Sequence, residues 1–149
     1  MGNIHTKRES KKVSFEMIQR ISREKQNAQL LLISTLDEHN QRCLIKGTLK
    51  LSEEESKIND IIKRNEQRLW SIVLYGTNCV DEKPISKIKE FQELGFVHIY
   101  HYCGGLFEWL LLQDIYGDDQ FETTQKEIDI LRYKPNLEEN ILLPMLKYG

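Results

Sequence analysis

Short continuous apolar runs alternate along this chain with stretches in which apolar residues recur every three or four positions. Leu30-Leu31-Leu32-Ile33 and Ser71-Ile72-Val73-Leu74-Tyr75 are continuous, as strands covered on both faces of a parallel sheet must be. Phe96 to Tyr102 is a third extended run, ended by Gly104-Gly105, and Cys43 to Leu51 reads as a short extended segment bent at Gly47. The other spacing predicts helices. Ser14 caps one reaching about Ile21, with Phe15 and Ile18 inward and Met17 and Ile21 beside them. Ser52-Glu53-Glu54-Glu55 has the form of a capping box opening a helix to about Arg64, with Ile58, Ile61 and Ile62 as its stripe. Pro84 and Ser86 introduce a helix carrying Ile88, Phe91 and Leu94 and stopped by Gly95. Leu106 to Tyr116, with Trp109, is a strongly apolar helix closed by Gly117. Thr123 or Thr124 is expected to start a last one, with Ile128 and Leu131 inward, ending before Pro135. Strands alternating with helices predict an α/β fold of three layers, α/β/α, around a central parallel sheet.

Composition places this pattern in one folded domain. The chain has 149 residues, of which 40% are hydrophobic and 30% charged, enough to bury a core. Three segments are expected: a basic, flexible tail over residues 1–13, the domain over 14–134, and an apolar extension over 135–149. Leu137, Ile141, Leu142, Leu143, Met145 and Leu146 of that extension are expected to pack back on the domain. The net charge of -2 provides no basic field for nucleic acid, and Lys57, Lys63, Arg64 and Arg68 read as a solvated face. No apolar stretch has the length of a bilayer span, and no secretory apolar region follows the N-terminus. Three cysteines without metal-type spacing point to free thiols in a reducing compartment, hence to the cytoplasm.

The N-terminus qualifies that placement. Met1-Gly2-Asn3-Ile4-His5-Thr6 fits the pattern for N-myristoylation of Gly2, and Lys7, Arg8, Lys11 and Lys12 follow. One acyl chain holds a protein on a membrane only marginally, while adjacent basic residues add about 1 kcal/mol each at an anionic leaflet. The pairing predicts a peripheral membrane contact; a tail beginning Met-Gly by chance is the alternative.

Candidate chemistry gathers beyond the central strand, since ligands of open α/β sheets bind outside the carboxyl ends of strands. The loop after Tyr75 reads Gly76-Thr77-Asn78-Cys79-Val80-Asp81-Glu82-Lys83. Cys79 is its only thiol and Lys83 its only cation, set against Asp81 and Glu82. Cys43 reads as a small hydrophobe. His101 and Cys103 alternate onto one side of their strand, but with Cys79 they provide no Cys-x-x-Cys pair and no fourth ligand. No metal or cofactor is implied.

From roughly Ser14 to Tyr133 the order of motifs resembles the rhodanese-like domain, the fold of sulfurtransferases and of some dual-specificity phosphatases. Ile45-Lys46-Gly47-Thr48-Leu49 is similar to the family's His-Ile-Pro-Gly-Ala-Ile stretch, and Ser71 to Tyr75 to the strand that enters its active-site loop. Leu94-Gly95-Phe96, then Tyr102-Cys103-Gly104-Gly105 with Trp109, resemble its Gly-Phe and Gly-Gly…Trp signature. The acidic-Arg pair that usually follows the first core strand is absent after Thr35. The resemblance implies about five parallel strands and a catalytic cysteine directly after the strand, where this chain has Gly76. Two readings follow. One is a catalytically inactive rhodanese-like module that binds or scaffolds a protein partner. The other is a thiosulfate-type sulfurtransferase forming a persulfide on Cys79, although an acidic loop disfavours a thiolate there. A phosphatase is the poorer third reading, because the loop lacks the Cys-x₅-Arg arrangement that clamps phosphate.

Overall fold

The computed structural model describes residues 10–24, 28–136 and 144–146. Its elements are β1 (Lys11–Val13), α1 (Phe15–Glu24), β2 (Leu30–Ser34), α2 (Leu51–Lys63), β3 (Ser71–Tyr75), α3 (Lys83–Glu93), β4 (His98–Tyr102) and α4 (Gly105–Tyr116). All strand pairs are parallel, in the order β1-β4-β3-β2. That order decides the layers. From β2 through β3 to β4 the chain steps one way across the sheet, so right-handed crossovers put α2 and α3 on one face. The step from β1 to β2 runs the other way and sends α1 to the opposite face, where α4 joins it. The buried clusters agree. Ile58, Ile61, Ile88 and Phe91 meet Leu31, Ile33, Ile72 and Leu74 on one side. On the other, Ile18, Leu106 and Trp109 meet Leu32, Val73, Tyr75 and Tyr102. β2 and β3 read as continuous apolar runs because both of their faces are covered.

The sheet has four strands among the described residues, not the expected five. The segment that resembled a further strand reaches β2 through one bridge, Leu32 to Thr48, and one bond from the Leu49 amide to the Leu32 carbonyl at 2.8 Å. Gly47 turns the chain at a φ of 94°, and α2 begins at Leu51, which leaves no room to extend the pairing. At the other edge, Lys11–Val13 of the expected tail pairs with Tyr100 to Tyr102 as β1.

Helix details depart from the pattern in four places. Met17 is 45% exposed and Leu94, just past the end of α3, is 44% exposed. α2 starts one residue before Ser52, with Lys50 at its cap position and no side-chain cap bond, so the capping box does not form. The last helix shrinks to a 3₁₀ turn over Ile130–Tyr133, with Ile128 89% exposed. Its intended start is held elsewhere: the Thr124 amide donates to the Leu44 carbonyl at 2.8 Å, and the Lys46 amide to the Glu122 carbonyl at 3.0 Å. Phe121 and Tyr133 are buried in place of Ile128 and Leu131. In the C-terminal extension residues 137–143 and 147–149 lie outside the described residues. Met145 and Leu146 are exposed, against the expectation that they pack inward.

Tyr75, fully buried at the end of β3, ties the central strand to the bend at Gly47. Its hydroxyl accepts the Ile45 amide at 3.1 Å and shares a 2.7 Å hydrogen bond with the Thr48 hydroxyl. Burial holds this phenol well above its ordinary range, so it remains neutral. Tyr75→Phe leaves a buried Ile45 amide without its acceptor and is expected to cost about 1–3 kcal/mol, read as a lower urea midpoint with an unchanged slope.

Candidate functional site

The loop after Tyr75 lies between the amino ends of two helices. Gly76 is buried and its φ is not in the left-handed region; space is what restricts the position. A Cβ there would stand 2.5 Å from Asp81 Oδ2 and 2.8 Å from Pro84 Cγ. Asp81 has turned its carboxylate into the loop. Oδ2 accepts the Thr77 amide at 2.9 Å, and Oδ1 accepts the Lys83 amide, at the start of α3, at 3.0 Å. A carboxylate at a helix amino end sits where the dipole and the free amides favour negative charge. Pro84, in the first turn of α3, has no amide to offer.

The remaining loop groups are bonded in the same inward manner. Asn78 Oδ1 accepts the Val80 amide at 3.0 Å, and the Asn78 carbonyl accepts that of Asp81 at 3.3 Å. The Asn78 side-chain amide donates to the Tyr133 carbonyl at 2.9 Å, which fastens the loop to the C-terminal 3₁₀ turn. From the other side, the Leu106 and Phe107 amides in the first turn of α4 donate to the Gly76 and Thr77 carbonyls, each at 2.9 Å. Gly105 makes that approach feasible. Its φ is +69°, and a Cβ on it would meet the Gly76 carbonyl oxygen at 2.7 Å. The helix amides that commonly receive an anion are thus engaged with the loop's own backbone.

Of the predicted site residues, Gly76, Thr77, Asn78 and Asp81 converge, while Cys79, Val80, Glu82 and Lys83 point outward and are exposed. The Lys83 ammonium pairs with Asp37 on the loop after β2 and holds that carboxyl below its ordinary value. The loop's one cation is therefore turned away from the cradle. Cys79 Sγ forms no hydrogen bond among the described residues, whereas Cys43 is buried and directs its thiol to the Gln125 carbonyl at 3.2 Å. Burial raises the Cys43 pKa, so it stays a thiol.

His101 on β4 and Cys103 just past its end share a side, with Nδ1 and Sγ 3.5 Å apart. Burial, and then the charge of Lys12, lower the His101 pKa, while Asp81 opposes them. No group of three metal-ligating side chains occurs among the described residues. Asp37, Glu108 and Tyr133 belong to the site's surroundings and carried no motif in the sequence. Glu108 folds back over Gly104 and accepts the Tyr102 hydroxyl at 3.0 Å. For Asp81 a signal was available, since a short carboxylate just ahead of a helix with Pro in its first turn can reach the amide that opens it.

Gly76 and Asp81 are expected to be coupled. Gly76→Ala should cost roughly 1–3 kcal/mol by overpacking. The same substitution made in Asp81→Ala should cost less, because one of its two close contacts is gone. A double-mutant cycle of urea unfolding free energies measures the difference, expected to exceed about 0.5 kcal/mol.

No family model and no curated protein matches the sequence significantly. Solved structures do match the fold. The BH2092 protein of Bacillus halodurans aligns with a TM-score of 0.57 at 14% identity, over 89% of this chain and 90% of its own. A yeast protein tyrosine phosphatase of the rhodanese family gives 0.54 at 15% identity, over 81% and 96%. The rhodanese-like domain of the Alr3790 protein of Anabaena sp. gives 0.51 at 16%, over 87% and 96%. The parallel sheet between two helical layers is that of the rhodanese-like fold.

Proposed function

We propose that this chain is a rhodanese-like domain without sulfur- or phosphoryl-transfer activity that serves as a protein-binding module, held at a membrane by an acyl group on Gly2. The observation that carries the first part is the Asp81 carboxylate inside the loop at Gly76. In sulfur transfer from thiosulfate, a thiolate attacks the outer sulfur, the S–S bond breaks, and sulfite leaves with the bonding pair. The enzyme keeps a persulfide that a second nucleophile then removes. Gly76 has no thiol, and the volume a Cβ would need is filled. A fixed carboxylate repels thiosulfate and phosphate alike and disfavours a nearby thiolate. Cys79 lies outside the converging groups, with its loop's ammonium directed to Asp37.

The tether is supported by sequence, since Gly2 lies outside the described residues. The Gly2 motif and the lysines and arginine behind it combine two weak membrane signals into one reversible anchor. None of the described helices is long and apolar enough to cross a membrane.

The purified chain, given thiosulfate and cyanide, is expected to form no thiocyanate above the protein-free rate. Turnover that disappears in Cys79→Ser would overturn the inactive reading in favour of the sulfurtransferase. Co-expression with an N-myristoyltransferase should add the acyl mass to the intact chain, and Gly2→Ala should abolish it. An unmodified N-terminus under those conditions removes the tether.

A further inference from the structure

The helical face over α2 and α3 carries a feature that the loop does not explain. Between the two helices runs an open groove of about 600 Å³. Two stripes face each other across it. On α2, Leu51, Glu54, Glu55 and Ile58 follow the i, i+3, i+4, i+7 spacing that keeps residues on one side of a helix. On α3 and its cap, Lys87, Glu90, Phe91 and Leu94 repeat the same spacing. The apolar members make the floor, and Leu51 and Leu94 leave 40% and 44% of their surface to solvent. A second hollow continues the groove past Leu51 to Glu82 and Lys83, at the edge of the loop described above.

The charge along this groove is one-sided. Glu54, Glu55, Glu90 and Glu93 line it against a single ammonium, that of Lys87. Lys87 is already engaged, 2.8 Å from Glu54 and 3.9 Å from Glu90. Glu55 and Glu93 make no ion pair among the described residues. An apolar floor with such a rim selects a partner that is apolar on one side and cationic on its flanks. We infer that the α2–α3 groove binds an amphipathic, lysine- or arginine-rich helix of a partner protein. The two helices extend over roughly 16–20 Å, which matches about three turns of a docked helix. The inference rests on the binding-module reading and gives it a partner class.

A fluorescein-labelled peptide of about 16 residues, with leucine at i, i+3, i+4 and i+7 and lysine elsewhere, serves as the probe. Its counterpart carries glutamate in place of lysine. Anisotropy titration into the full chain should show saturable binding of the lysine peptide that weakens with salt, and none of the glutamate peptide. Glu55→Lys with Glu93→Lys should weaken binding about tenfold or more, with the thermal melt unchanged, because both side chains lie on the groove's rim. Leu94→Asp should weaken it independently through the floor. Equal binding of both peptides, no binding of either, or an affinity indifferent to these substitutions would overturn the inference. So would a dimer of the chain that Leu94→Asp dissociates, since the groove would then belong to a second copy. Thiocyanate turnover with intact peptide binding would count against the inactive loop alone. Lost binding without turnover would count against the groove alone.

Discussion

Where β3 ends, the amino termini of α3 and α4 converge on it, and the amides they bring must find partners. Parallel sheets with helices on both faces create this situation by construction, because each strand exits toward the start of the next helix. An external anion answers the need in many such folds. This chain answers it internally: α4 donates to the Gly76 and Thr77 carbonyls, and Asp81 bridges Thr77 to the first residue of α3. Two constraints on the sequence follow. Gly76 must be glycine because a carboxylate oxygen fills the space of a Cβ, and Gly105 must be glycine because the loop backbone fills the space beside it.

A site closed by its own side chain differs in kind from one that has merely lost a residue. Deleting a nucleophile leaves a cradle that still attracts anions. Filling it with a fixed negative charge reverses the sign of what the cradle attracts and stabilises the loop. The outward turn of Lys83 acts in the same direction, since its pairing with Asp37 ties the loops after β2 and β3 together across the sheet edge. In the proposed function, such an edge offers binding energy rather than bond making. The acid-rimmed groove that opens beside it is formed by the helices that cover β2 and β3.

Much of the fold was legible because burial on two faces leaves little choice of residue. Leu30 to Ile33 and Ser71 to Tyr75 admit no polar alternation, and the stripes of Ile58, Ile61, Ile88 and Phe91 admit no other helical phase. What escaped the pattern was decided by distant partners. Lys11–Val13 is an edge strand of three residues with only Val13 partly buried, so its sequence looks like tail. Ile128 and Leu131 have helical spacing, yet the backbone just before them pairs with Leu44 and Lys46, some eighty residues away in sequence. Ser52 has the chemistry of a cap, but α2 takes one more residue and places it inside the first turn.

The rule that ligands gather beyond carboxyl strand ends singles out the loop after β3, but its charge was legible only as a balance. Counting Asp81 and Glu82 against Lys83 treats the two acids as equivalent, and the structure separates them. Glu82 faces solvent, Lys83 leaves for Asp37, and Asp81 alone turns inward to accept two amides. A difference of one position along a turn decides which acid becomes part of the frame. The inward place falls to Asp81 because its short side chain, just ahead of the α3 cap, can reach the Thr77 amide behind it and the Lys83 amide ahead of it.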